Sequence, residues 1–478
     1  MPTPRFCLAA TALLALTACT VGPDYVRPAA EAPAAFKEAE GWKPAQPKDQ
    51  VPRGKWWSVF GDTRLDELEA QVDVSNQNIK LAEARVHQAR ALTQQARAAF
   101  FPTVDASASA TRAGGRGGSS TASGTSVSGG AVSNFYNLAL DANWELDLWG
   151  RVRRNVESTE AGTQASIADL EAAKLSAQAE LAQDYLLLRV QDAQIDLLAT
   201  TAAAYEKSLQ LTRNQYAAGV VGRGDVVQAE TQFKSTQAQV LDARILRAQL
   251  EHAIAILIGK PPAEFSIAAT STDYAFPDIP AGMPSELLER RPDIAAAERR
   301  IAAANAQIGV AQAAFFPSLT LSATGGFAAS SFAHWLTLPA RYWSLGPALL
   351  AQTVFDAGLR SAQKEQAIAV YDQTVATYRE TVLTGFQEVE DNLAALRILE
   401  DEAGVQDDAV KAAREAVTIV NNQYRAGTVN YIAVVVIQAG ALSNERTALG
   451  IRGRRLAASV ALIKALGGGW NATALAQQ

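Results

Sequence analysis

Hydrophobic and polar positions alternate strictly in three stretches of the chain and loosely in a fourth. Over residues 103–112, Val104, Ala106, Ala108 and Ala110 hold the even positions, and Asp105, Ser107 and Ser109 hold odd ones. Over residues 137–148, Leu138, Leu140, Ala142, Trp144, Leu146 and Leu148 face one way, while Asn137, Asp141, Asn143, Glu145 and Asp147 face the other. Residues 318–324 keep the period, and the less regular stretch near 342–355 contains Pro347. A period of two predicts β-strands with one apolar and one wet face. Charges on the wet face fit a barrel with lipid outside and water inside, although alternation alone fits a soluble antiparallel sheet equally well. Phe100, Phe101, Phe135, Tyr136, Phe315, Phe316, Trp335, Tyr342 and Trp343 sit at or near the strand ends, where membrane barrels carry interfacial aromatics.

The rest of the pattern is helical. Residues 63–99, 152–214, 225–258, 293–314, 358–421 and 430–466 are rich in Ala, Gln, Glu, Leu and Arg and poor in Gly and Pro. A helix of roughly 60 residues is about 90 Å long, far beyond a compact domain. The chain also repeats itself. Ala99, Phe100, Phe101 and Pro102 recur as Ala314, Phe315, Phe316 and Pro317, 215 residues on; Asn214, Gln215, Tyr216, Ala218 and Gly219 recur as Asn422, Gln423, Tyr424, Ala426 and Gly427, 208 residues on. Each copy reads helix, strand, strand, long helix, turn, helix. The first copy's seven extra residues are expected in the Gly/Ser-rich stretch 113–130, a loop facing the exterior, with the helix turns at 219–224 and 427–429 at the opposite, periplasmic end.

Composition narrows the chemistry. With 43 Lys plus Arg against 49 Asp plus Glu the net charge is −6, so no basic excess recommends a nucleic-acid partner. The 3 histidines His87, His252 and His334 are scattered, and both cysteines, Cys7 and Cys19, lie in the first twenty residues. No nucleophile–base pair and no metal-ligand spacing occurs, so neither an enzyme nor a metal site is expected. Residues 1–18 carry Arg5 and then a short apolar run, the layout of a signal peptide. Leu16, Thr17, Ala18 and Cys19 resemble a bacterial lipobox, which places S-diacylglycerol and N-acyl chains on Cys19 as the only non-protein groups. Thr20 in place of aspartate points to the outer membrane. No later segment offers the apolar length of a transmembrane helix, so any crossing must use strands. Four strands cannot close a barrel, and an open edge cannot stand in lipid. Two copies would give 8 strands, three 12 and four 16.

These landmarks resemble the outer-membrane factor family of TolC-like channels, in its OprM/NodT-type lipoprotein branch. The likeness runs from Cys19, Gly22, Pro23, Asp24 and Tyr25 through Trp56, Trp57, Phe60 and Asp62, then Leu146, Asp147, Leu148, Trp149, Gly150 and Arg151. It is most specific from Leu287, Arg290, Arg291, Pro292 and Asp293 to Pro317, and ends with Tyr424, Gly427, Asn430 and Tyr431. The resemblance implies a mainly α fold with a transmembrane β part: a homotrimer with a 12-stranded barrel, four strands per protomer, above a long periplasmic helical barrel. It also implies a passive outer-membrane duct that passes drugs, toxic compounds or metals from a resistance-nodulation-division pump and a periplasmic adaptor; the alternative within the family is type I protein secretion. The chain then divides into the signal 1–18, a lipidated extended tail 19–61, a first repeat 62–283, a second repeat 284–467 and a tail 468–478.

Family members close the periplasmic end with inner helices, commonly with an acidic ring beyond the second turn. The aspartate of that pattern falls on Val436 and its leucine on Ile432, so that acidic ring is absent; Asp225 offers a carboxylate near the first turn. The expected gate is an apolar constriction of Ile432 and Val436 that closes by dewetting, with Tyr424 holding the closed state by a hydrogen bond to a neighbouring helix. The bland alternative makes Val434, Val435 and Val436 packing residues. The acids Glu388, Glu390, Asp391, Asp407 and Asp408 read as solvated helix faces.

Overall fold

The computed structural model describes residues 20–29, 33, 35–39, 55–114, 132–270, 274, 276–277 and 290–470. The elements are α1 (Thr63–Ser75), α2 (Gln77–Ala98), β1 (Thr103–Ala113), β2 (Ser133–Leu146), α3 (Arg151–Ala217), α4 (Arg223–Leu257), α5 (Pro292–Ala313), β3 (Ser318–Ala329), β4 (Arg341–Ala351), α6 (Leu359–Arg425) and α7 (Tyr431–Ala465). Two compact units form: Met1–Pro28, His87–Gln164 and Glu298–Thr377 make one, and Ala29–Val86, Ala165–Ala297 and Tyr378–Gln478 the other. Each unit draws segments from both copies of the repeat.

In the first unit the strands form one antiparallel sheet in the order β1-β2-β3-β4, so the two hairpins are joined through β2 and β3. The register sets Leu138 opposite Ala108 and Phe327, and Asp141 opposite Asp105 and Thr324. Apolar and polar residues therefore line opposite faces, because opposed residues in an antiparallel pair point the same way. β3 runs beyond 324 through Gly325 and Gly326, which hide the alternation in the sequence. β4 is irregular because it bulges: Ala323 pairs with Leu345 but Leu321 with Ala348, and the extra residue falls at Gly346-Pro347. It ends at Ala351, short of the expected 355. Two aromatics expected in the girdle also depart from it. Tyr342 and Phe135 lie on the polar face, opposite Gly326 and Thr111, and the Tyr342 hydroxyl donates to Asn137 Oδ1 at 3.0 Å.

In the second unit, Asp62 starts α1 by accepting from Arg64 N at 2.7 Å and Leu65 N at 3.1 Å. The helix expected over 63–99 breaks at Asn76, whose side chain accepts from Asn78 N and Ile79 N and donates to Leu257 O at 2.8 Å. Arg291, in the most specific stretch of the sequence, is buried at the start of α5. It binds Asp293 and Glu388 at 2.6 Å each and donates to Ala465 O at 3.2 Å, joining α5 to α6 and the end of α7. Glu388 is thus an ion-pair partner, and Glu390 accepts from Lys37 N and Glu38 N, so neither merely faces solvent. Among the described residues no helix is long and apolar enough to cross a membrane.

Candidate functional site: the amphipathic sheet and the helix turns

The polar face of the sheet carries Asp105, Asp141, Asn137, Asn143 and Glu145, with Thr324 Oγ1 donating to Asp141 Oδ1 at 2.7 Å. At its inner end Glu145 pairs with Arg151 at 2.7 Å, and Asp147 accepts from Val152 N and Arg153 N, both at 2.9 Å, to start α3. Trp149 stacks on Phe316 at 4.9 Å and donates to Pro317 O at 2.7 Å, while Trp144 donates to Phe100 O at 3.0 Å. At the outer end Tyr136, Phe332 and Trp335 cluster with ring centroids 5.6 to 5.9 Å apart.

Cys19 lies outside the described residues, but the segment that follows it is fixed in the first unit. Val21 N donates to Trp149 O at 3.1 Å. Arg154, 5% exposed, binds Asp24 and Glu157 at 2.8 Å each and donates to the carbonyls of Val21 and Gly22 at 3.3 Å. Asn305 donates to Pro23 O at 2.9 Å, and the Tyr25 hydroxyl donates to Glu298. Burial and that carboxylate push the Tyr25 pKa up, so the phenol keeps its proton. Gly22 packs so closely on Gly309 that a Cβ on it would come within 2.5 Å of the Gly309 Cα. Sequence reasoning missed Arg154. The available signal was the run Arg151, Arg153, Arg154 in the first turn of a helix, where the dipole disfavours cations and partners from elsewhere are needed.

The two helix turns, in the second unit, share one backbone solution. Gly219 at φ 74° and Gly427 at φ 73° follow the helix ends, and Val220 N and Thr428 N reach back five residues to Gln215 O at 2.9 Å and Gln423 O at 3.0 Å. The next helices start on different side chains: Asp225 Oδ2 accepts from Gly222 N at 3.3 Å, and Asn430 Oδ1 from Ala433 N at 3.2 Å. Asp225 is half-buried and reaches back to its own helix start. The Tyr424 hydroxyl donates to Gln215 Oε1 at 2.9 Å, tying the second turn to the first within one chain. Its ring meets Tyr431 edge-on at 5.5 Å. Leu209, Ala229, Val420, Tyr431, Val434 and Val435 form the core of this end. The valine run therefore divides: Val434 and Val435 are 1% and 9% exposed, whereas Val436 and Ile432, four residues apart on one face, are 63% and 55% exposed.

The four strands form one sheet that is amphipathic across its faces, and comparison with known proteins gives the class and family to which such a chain belongs. The model of the outer membrane efflux protein family matches residues 68–260 and 283–468. The chain is 32% identical over 466 residues to the probable efflux pump outer membrane protein TtgC of Pseudomonas putida, covering 97% of this chain and 95% of that one. It is 32% identical over 420 residues, 87% of each chain, to the pyoverdine export outer membrane protein OpmQ of Pseudomonas aeruginosa. A solved structure of the outer-membrane channel OprN superposes with a TM-score of 0.86 at 33% identity, over 95% of this chain and 100% of that one. The open state of the Neisseria gonorrhoeae MtrE outer membrane channel gives 0.83 at 29% identity, over 95% and 99%. This chain belongs to the outer membrane efflux protein family and has the TolC-like fold. It is the outer-membrane channel component of an efflux system.

Proposed function

We propose that three copies close a 12-stranded barrel and conduct small molecules passively, with no chemical step, after a periplasmic adaptor and an inner-membrane pump of the resistance-nodulation-division class have delivered them. One observation carries this reading: the sheet has a lipid-compatible face and a wet face, yet β1 and β4 are each paired on one side only. Unpaired backbone groups in lipid cost several kcal/mol each. Sister copies satisfy them by pairing β4 of one with β1 of the next. Cys19 carries the lipid anchor; the fixed path of Thr20 to Tyr25 past Trp149 supports this by holding the anchored end beside the strand-to-helix junction. The cargo is small and organic, in keeping with relatives named for toluene efflux and pyoverdine export.

Ile432 and Val436 form the constriction, an apolar ring when three copies meet, and Asp225 sets the start of its helix. The protein in planar bilayers is expected to give a low resting conductance of little ion selectivity. Val436→Asp is expected to raise cation over anion permeability several-fold. Unchanged selectivity in that variant would remove Val436 from the pore, and absence of any conductance would overturn the channel reading.

A further inference from the structure

The apolar face of the sheet carries two charged residues among the described strand residues, and both stand at the same end. On β1 the face runs Val104, Ala106, Ala108 and Ala110 and finishes at Arg112, opposite Asn134. On β4 it begins with Arg341, opposite Phe327, and continues with Trp343 and Leu345. The strand carboxylates Asp105, Asp141 and Glu145 all lie on the other face. Both arginines are exposed, and neither has an ion-pair partner among the described residues. They stand at the hairpin ends, away from the helix junctions and level with the Tyr136, Phe332 and Trp335 cluster. Aromatics on a lipid-facing surface mark the headgroup level, so the two guanidinium groups sit at the outer rim of the apolar band. A cation is tolerated there because its head leaves the hydrocarbon for the headgroups.

Arg112 and Arg341 also lie on the two strands at the edges of the sheet. This step rests on the barrel proposed above: with β4 of one copy against β1 of the next, each seam gathers one Arg341 and one Arg112 at the outer rim. We propose that each seam binds the phosphate of an outer-leaflet lipid, held by Arg341 of one copy and Arg112 of the next, its acyl chains lying on the apolar face below. Guanidinium suits this task because its fork of donors matches phosphate oxygens. Charge complementarity selects the occupant, since the lipid-facing strands otherwise offer only apolar, aromatic and neutral groups.

The experiment is native mass spectrometry of the detergent-extracted full chain, titrated with bisphosphorylated lipid A and separately with dephosphorylated lipid A and inorganic phosphate. Wild type is expected to retain up to three lipid A molecules per trimer. The double variant Arg112→Gln/Arg341→Gln is expected to bind at least tenfold more weakly, and Arg112→Lys/Arg341→Lys to recover most of the loss. Dephosphorylated lipid A should bind wild type no better than the glutamine variant, and free phosphate, lacking acyl chains, should leave no adduct. Equal retention of lipid A by wild type and glutamine variant would overturn the seam site, as would equal binding of the dephosphorylated lipid. The same spectra report the subunit number, so a folded monomer would instead overturn the barrel from which the seam follows.

Discussion

In both copies of the repeat the helix before the strands runs for 22 residues, the long helix for 67 and the returning helix for 35. Local joints repeat as well. Asn76 donates to Leu257 O, and Arg291, 215 residues on, donates to Ala465 O, 208 residues on. Gly259 sits tight against Ser75 O as Gly467 does against Arg290 O. The seven extra residues of the first copy fall between the start of β1 and the start of α3, with 19 residues linking β1 to β2 against 11 linking β3 to β4. The turns differ in chemistry on a shared backbone: 208 residues before Ile432 and Val436 stand Gly224 and Gln228. Helix lengths and the joints between helices are held in common by the two copies, whereas the number of residues between paired strands and the side chains at the turns differ. Element lengths are thus duplicated and turn side chains are not.

Length gives the sharpest test. Removing seven residues from the β1–β2 connection, which brings the first copy to the length of the second, should leave assembly and conductance within about twofold, since loop closure depends weakly on length. Removing seven from the middle of α6, about two helical turns, should abolish the detergent-resistant oligomer on a gel. Next is the turn chemistry. Ile432→Gly with Val436→Gln gives the second turn the first turn's residues, and resting conductance in bilayers should rise about tenfold or more.

The buried carboxyl of α1 has its contrast in Arg291, whose charge is paired. Glu69 is fully buried, its oxygens have no partner among the described residues, and burial pushes its pKa from 4.5 to about 10, with Asp73 and Asp66 adding to the rise. The folded chain therefore holds a proton that the unfolded chain releases above about 4.5. This group's contribution is complete below that pH and falls as pH rises toward 10. Between pH 4.5 and 7 the loss is roughly 3 kcal/mol. Glu69→Gln should flatten that part of the pH dependence of the urea midpoint.

Smaller effects follow at the two tethers. Arg154→Ala removes charged hydrogen bonds to Asp24 and to two carbonyls and should cost about 2 kcal/mol, read as a lower urea midpoint and freer proteolysis of the post-cysteine segment. Tyr424→Phe breaks one bond to Gln215 and should cost about 1 kcal/mol, with a resting leak well below that of the turn exchange.

Much of this was legible in the sequence. The period of two located the strands because each has one dry face, and it blurred where Gly325 and Gly326 interrupt it and where β4 bulges at Gly346-Pro347. Composition located the long helices but not the break at Asn76, whose hydrogen-bond partner lies 181 residues away. Ile432 and Val436 were singled out by resemblance, and their separation from Val434 and Val435 needed the packing around Tyr431. For Arg154 the sequence offers only the run of arginines in a helix's first turn and not the partner, because Asp24 is joined to it only by the fold.

The central claim is that one chain supplies too little wall to close a pore. The mass of the detergent-extracted, folded mature protein tests it most directly, by light scattering corrected for bound detergent. Three times the chain mass is expected, and a folded protein at one chain mass would rule out a barrel shared between copies.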